Sequence, residues 1–110
     1  MAKFIIRPEI NNHNEGDYDN LHLEMHKRNI FRVIKLNDDK WYDLPTGTYR
    51  AVLAKTTEEV FELCVAALNA IGKFNTMNKR DYELYVGETT SCKCDLRLNT
   101  DKSKLPSGTK

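Results

Sequence analysis

The alternation of hydrophobic and polar residues predicts four strands and two helices. A period of two residues, typical of strands with one buried face, recurs at residues 3–10, 30–36, 48–54 and 82–87. In the first of these, Phe4 and Ile6 fall on one face and Arg7 on the other. Apolar residues spaced by three, four and seven predict helices at residues 17–28 and 56–71.

The second helix has the clearest end signals in the sequence. Thr56 with Glu59 three residues later is the pattern of a capping box, in which each side chain bonds the backbone of the other. Gly72 suits the turn that follows a helix. The predicted buried stripe consists of Val60, Leu63, Cys64, Ala67 and Ile71.

The order of elements predicts an α+β fold. Strand, helix, strand, strand, helix, strand is the βαββαβ order of the ferredoxin-like two-layer sandwich. Right-handed crossovers then place two helices on one face of a four-stranded antiparallel sheet. We expect this domain to span residues 1–90. Residues 91–110 contain few large apolar side chains, and we expect them to form a flexible, mildly basic tail.

The predicted sheet has one face that the helices leave open. Ile5, Ile34 and Val52 make that face too apolar to stay bare. We therefore expect a second copy of the chain, the tail or a ligand to cover it. Within the tail, Leu96 and Leu98 are compatible with a short added strand.

The candidate binding residues lie on or beside this open face. They are Arg7, Arg32, Lys35, Arg50 and Tyr85. Arginine can pair with phosphate through two hydrogen bonds, and a tyrosine ring can stack on a base. The same residues could instead link the two sheets of a homodimer. RNA contact and a homodimer interface therefore both remain open, and they can coexist.

Other reactive side chains have simpler interpretations. His22 and His26 are four residues apart on one helix, but the zinc-protease motif is absent, which favours structural or surface roles. Asp38 and Asp39 adjoin in a polar turn, where such residues are common for backbone reasons. We therefore assign no metal site and no cofactor.

Three cysteines, an odd number, argue against a disulfide framework. Cys64 falls in the apolar stripe of the second helix, so we expect it to be buried and to pack as a small hydrophobic side chain. Cys92 and Cys94 form a Cys-x-Cys pair, which leaves a tetrahedral zinc site half filled. We expect these two to be exposed, reduced thiols.

The net charge and the lengths of the apolar runs limit the classes of partner that this protein can bind. Net charge is +1 over 110 residues, so any contact with nucleic acid must come from a local patch. The apolar runs are too short to cross a bilayer, and the first eight residues are too short for a secretory signal. We expect a cytoplasmic protein with no membrane partner.

Three runs of residues carry a resemblance to a known family: Asp17-Tyr18-x-x-Leu21-His22-x-x-Met25, Phe31-x-x-Ile34 and Trp41-Tyr42-x-Leu44-Pro45-Thr46-x-x-Tyr49. The pattern resembles the small proteins grouped with GhoS, the endoribonuclease antitoxin of type V toxin–antitoxin systems. The similarity covers residues 3–86. The tail after Gly87, with its Cys-x-Cys pair, departs from the family pattern.

The resemblance implies a ferredoxin-like fold, RNA binding and cleavage of a toxin messenger RNA, without placing a catalytic motif on this sequence. In such a reaction Arg32 and Arg50 would stabilise the charged transition state. A general base is evident only if His22 or His26 comes within reach. The alternative is a non-enzymatic interaction module, such as an inhibitor or immunity-type protein, or a domain that only dimerises.

Overall fold

The structure, a computed structural model, describes residues 1–107. In chain order its elements are β1 (Ala2–Ile10), α1 (Asp17–Lys27), β2 (Val33–Lys35), β3 (Trp41–Asp43), β4 (Tyr49–Leu53), α2 (Thr57–Ala70), β5 (Tyr82–Thr89) and a short 3-10 helix (Lys102–Lys104). The strands form a three-stranded antiparallel sheet in the order β4-β1-β5 and a two-stranded antiparallel sheet, β2-β3. The predicted α+β class is confirmed.

β1 is the central strand of the larger sheet and divides its two faces. It pairs with β4 on one side and with β5 on the other. Phe4, Ile6 and Ile10 are buried, whereas Lys3 and Arg7 are exposed. The alternation predicted from the sequence is therefore confirmed for this strand.

Both helices pack on the face of the sheet that carries Phe4 and Ile6. α1 contributes Leu21 and Met25 to this core. α2 contributes a stripe of fully buried residues, namely Val60, Cys64, Ala67 and Leu68. Burial of these apolar side chains is the main stabilising term of the fold.

The predicted capping box at the start of α2 is confirmed. The Glu59 N–H donates to the Thr56 hydroxyl over 3.1 Å, and the Thr56 N–H donates to the Glu59 carboxylate over 2.9 Å. Two of the N–H groups at the helix start are thereby satisfied. Gly72 follows the helix with a φ of 83°, a conformation that residues with a Cβ rarely adopt.

The second predicted strand, 30–36, joins a separate hairpin instead of the larger sheet. Of the predicted strand 30–36, only Val33–Lys35 is assigned as a strand, and it pairs with β3 rather than with β4. The expected single four-stranded sheet is therefore divided into a sheet of three strands and a hairpin of two.

One short link still joins this segment to the larger sheet. The Phe31 N–H donates to the Arg50 carbonyl over 2.9 Å, and the Arg50 N–H donates to the Phe31 carbonyl over 2.7 Å. The chain bends at Arg32, directly after this pair. Val33 and Ile34 are consequently both buried, although they are consecutive and a straight strand would point them to opposite faces.

The segment after β5 returns to the hairpin and pairs with its outer strand. The Asp43 N–H donates to the Arg97 carbonyl over 2.9 Å, and the Asn99 N–H donates to the Trp41 carbonyl over 3.0 Å. These bonds flank an isolated antiparallel β-bridge between Tyr42 and Leu98. Leu98 is one of the two tail residues that were predicted to form a short added strand. The predicted mobility of the tail stays a prediction, and its residues 108–110 lie outside the described residues.

Candidate functional site

The five candidate residues from the sequence divide between three places. Lys35 and Arg50 line a groove between the larger sheet and the hairpin. Arg32 lines a small cavity beside α1, together with His22. Arg7 and Tyr85 face each other in the register of β1 and β5. The bend at Arg32 explains the separation, because it takes the Arg32 side chain away from the groove that Lys35 and Arg50 share.

The groove has a volume of about 470 Å³, within the range of small-ligand sites. Its lining residues are Met1, Lys3, Asn29, Phe31, Val33, Ile34, Lys35, Trp41, Arg50, Val52, Leu53 and Pro106. Its charged side chains are Lys3, Lys35 and Arg50, and none of the described lining residues carries a carboxylate. We therefore call it the cationic groove. None of the three makes an ion pair within residues 1–107.

Two aromatic side chains border these cations. The Lys35 ammonium lies 6.0 Å from the centre of the Trp41 ring, at the outer limit of a cation–π contact. Phe31 sits beside Arg50 through the backbone pair described above, and its ring meets the His26 ring edge-on at 4.9 Å. The groove therefore offers flat apolar surfaces next to positive charge.

Arg50 has an unsatisfied polar atom. Its Nε is buried and has no hydrogen-bond partner among the described residues. Burying a donor without a partner costs about 1–3 kcal/mol, so an acceptor supplied by a ligand would recover that free energy. Burial raises the pKa of the Cys94 thiol, although the positive charge of Arg50 acts in the opposite direction.

Tyr85 lies on the open face of the sheet with 63% of its surface exposed. Its ring covers Gly87, because a Cβ added at that glycine would stand 2.9 Å from the Tyr85 hydroxyl oxygen. The missing side chain at Gly87 thus lets the ring lie along the strand. With Arg7 opposite, this gives a second, more exposed place where a base and a phosphate could be held.

His22 is a titratable side chain whose surroundings perturb its pKa strongly. Its Nδ1 is hydrogen-bonded to the hydroxyl of Tyr49, a residue with only 1% of its surface exposed. Burial, assisted by the positive charge of Arg32, lowers the pKa of His22 to about 4, and burial raises the pKa of Tyr49. Both groups are therefore neutral at pH 7.

Lowering the pH from 7 to 4.5 is expected to destabilise the protein through His22. The folded pKa of about 4 lies below the ordinary value of 6.5, so the unfolded chain takes up the proton first. The stability is thus complete above pH 6.5 and is lost as the pH falls towards 4. A fully buried ring would give about 3 kcal/mol, and partial exposure reduces this to about 1–2 kcal/mol.

Urea unfolding at pH 7, 5.5 and 4.5 measures this loss, with His22→Asn as the comparison. The charges that act on His22 are Asp19, Arg32 and Lys104. Asp81, whose pKa is lowered from 3.8, loses its contribution mainly below about pH 4, whereas Glu24 and Glu59, whose pKa values are lowered from 4.5, begin to lose theirs near pH 4.5; the difference between the two proteins therefore isolates the share of His22. An equal loss in His22→Asn would show that another group is responsible.

The remaining reactive side chains do not assemble a metal site. Within residues 1–107 no group of three or more histidine, cysteine or acidic side chains is placed to hold an ion. The Cys92 and Cys94 sulfurs are 3.8 Å apart, and Cys64 is buried, which raises the pKa of its thiol to about 12. Asp38 accepts hydrogen bonds from the Tyr42 hydroxyl and from the Lys40 N–H, so it stabilises the hairpin turn.

Several residues of these sites were not singled out from the sequence. Lys3 and Trp41 belong to the cationic groove, and Lys104 belongs to the cavity at His22. Alternation along β1 could have placed Lys3 on the same face as Arg7. No local pattern indicates Lys104, because its position depends on where the tail returns.

The sequence matches no protein-family model, and no curated protein is significantly similar to it. Within residues 1–107 no helix has the length and apolar composition that are needed to span a membrane.

Proposed function

We propose that this protein binds single-stranded RNA through the cationic groove. The observation that carries the proposal is the grouping of Lys3, Lys35 and Arg50, without ion pairs in the described chain, beside the Trp41 ring. Unpaired cations can bind successive phosphates, and a tryptophan or phenylalanine ring can stack on a base. The apolar lining can contact the exposed faces of unpaired bases, which are not accessible in a paired duplex. A single strand is therefore the better partner for this groove.

We also infer that the chain keeps the ferredoxin-like order, with a shortened edge strand. Two observations support this inference. The strands of the larger sheet lie in the order β5-β1-β4, and Phe31 pairs with the outer edge of β4 through its two hydrogen bonds with Arg50. The segment after α1 thereby occupies the edge that a split βαβ arrangement gives to its second strand. This supports the resemblance to the GhoS-like family, whose expected partner is RNA.

Binding, rather than cleavage, is the function we propose for the groove. Cleavage without a metal needs a general base near the ribose hydroxyl. The described residues that line the groove include no histidine and no carboxylate, and His22, which lines a different cavity, has its Nδ1 bonded to Tyr49. Cleavage of a toxin transcript stays a prediction of the resemblance. Incubation with total RNA, with and without a chelator, tests it.

The salt dependence of RNA binding tests the proposed function. Three phosphate contacts are expected to give a slope of about −2 for the logarithm of the binding constant against the logarithm of salt concentration. Fluorescence anisotropy with a labelled, uridine-rich single strand measures it. Lys35→Gln should reduce the steepness by about 0.7. Lys55→Gln, which changes an exposed lysine outside the groove, should leave it unchanged.

A protein partner is the second candidate for the open face, with a second copy of this chain as its simplest form. The observation that favours it is the exposure of Val52 (44%) beside the charged residues, since apolar side chains at the centre of a patch are typical of interfaces. A shallow salt slope for RNA, together with a dimer mass in light scattering, would favour this interface over RNA.

A further inference from the structure

A second cavity, on the α1 side of the hairpin, has the composition of an anion site. Its volume is about 100 Å³, and its lining residues are His22, Arg32, Leu44, Pro45, Thr46, Gly47 and Lys104. We call it the His22 cavity. Two of these residues are cations, one is an imidazole and one carries a hydroxyl, while the described residues contribute no carboxylate to the lining.

Carboxylates lie near this cavity without lining it, since Asp19 acts on His22 and Glu9 lines an adjoining pocket. An oxygen of Asp43 lies 3.8 Å from the Lys104 nitrogen, near the limit for an ion pair. Asp101 accepts hydrogen bonds from the hydroxyl and the N–H of Ser103, at 2.6 and 3.0 Å, and these bonds, assisted by the charges of Lys104 and Arg32, lower its pKa. Arg32 itself makes no ion pair within residues 1–107.

The hydrogen bond with Tyr49 decides which nitrogen of His22 carries the proton. Tyr49 is almost fully buried, and His22 is the hydrogen-bond partner of its hydroxyl in the described chain. A buried hydroxyl retains its proton and donates it to an acceptor. The Tyr49 hydroxyl therefore donates to Nδ1, and the neutral ring carries its own proton on Nε2. His22 is thus a hydrogen-bond donor and not a base.

We propose that the His22 cavity binds a phosphate-type oxyanion. The Arg32 guanidinium and the Lys104 ammonium supply positive charge, and His22 Nε2–H and the Thr46 hydroxyl supply further donors. Such an anion comes either from a free phosphate monoester or from a phosphodiester of RNA. The residues of this site lie outside the cationic groove. The proposal can therefore be tested independently of RNA binding in that groove.

Nitrogen-detected NMR of His22 in the full chain tests the site, using inorganic phosphate and a uridine dinucleotide as the two probes. We expect a protonated Nε2, an unprotonated Nδ1 and a saturable shift of the His22 signals. Arg32→Gln and Lys104→Gln should each weaken binding by about fivefold or more. Lys102→Gln is the matched control, because it changes an exposed lysine of the same 3-10 helix outside the cavity.

Each outcome has a defined meaning for the proposal. Saturable binding of the dinucleotide supports the site with RNA as the source of the anion, and binding of inorganic phosphate alone supports it with a free monoester. The proposal is overturned if neither probe shifts the His22 signals, or if Lys102→Gln weakens binding as much as Lys104→Gln does. A protonated Nδ1 would overturn the donor role of His22.

Discussion

Replacing Phe4 with alanine is expected to lower the free energy of unfolding by about 3–5 kcal/mol. Phe4 has 0% of its surface exposed and lies in the central strand, between Ala51 of β4 and Glu88 of β5. Neighbouring strands hold the backbone on both sides, so the core cannot close around the missing ring. Urea denaturation with a common slope for both proteins measures the loss.

Val52→Ala is the control for this prediction. Val52 belongs to the same sheet but lies on its open face and keeps 44% of its surface exposed. Its replacement should cost about 0.5 kcal/mol or less, as is usual for exposed positions. Comparable losses for the two substitutions would mean that the helix-covered face is not the main core.

Reversing two charges of the cationic groove is expected to weaken RNA binding by about 100-fold, or about 3 kcal/mol. The variant is Lys35→Glu combined with Arg50→Glu. Each substitution removes a charged hydrogen bond to phosphate and adds repulsion from the same position. Fluorescence anisotropy at one fixed salt concentration measures the binding constant.

The matched control for this variant is Lys55→Glu combined with Lys102→Glu. It makes the same change in net charge at two exposed lysines outside the groove. We expect less than about threefold weakening, because long-range attraction is screened at physiological salt. If the control loses as much affinity as the groove variant, only the total charge of the protein governs binding. Circular dichroism verifies that both variants are folded.

The parts of the fold that were predicted correctly are those with local signals. The alternation in β1 and the Thr56–Glu59 capping box depend on residues a few positions apart, and both are confirmed. Cys64 was expected to be buried in the α2 stripe, and it is. In each case the interacting positions are fixed by the geometry of a single element.

The division of the sheet could not be predicted, because alternation describes a straight strand. Phe31 pairs with Arg50 as the predicted edge strand would, but the chain turns at Arg32 immediately afterwards. That bend explains why Val33 and Ile34 are both buried although they are consecutive. A bend of this kind is decided by tertiary packing, which overrides the local preference of the residues.

The candidate site was predicted in part for the same reason. Lys35 and Arg50 line the same groove, because the two hydrogen bonds between Phe31 and Arg50 hold the segment before β2 beside β4. Arg32 was grouped with them by the assumption of a straight strand. Lys104 comes from a segment more than 70 residues beyond Arg32 along the chain, and its place in the cavity reflects long-range contacts that no short pattern encodes.

The return of the tail to β3 makes one segment part of both proposed binding sites. Pro106 lines the cationic groove and Lys104 lines the His22 cavity, and both belong to the segment that follows the bridge at Leu98. A ligand that holds this segment against one site would preassemble the other. Occupancy of the two sites would then be thermodynamically linked, with each ligand raising the affinity for the other by the same factor.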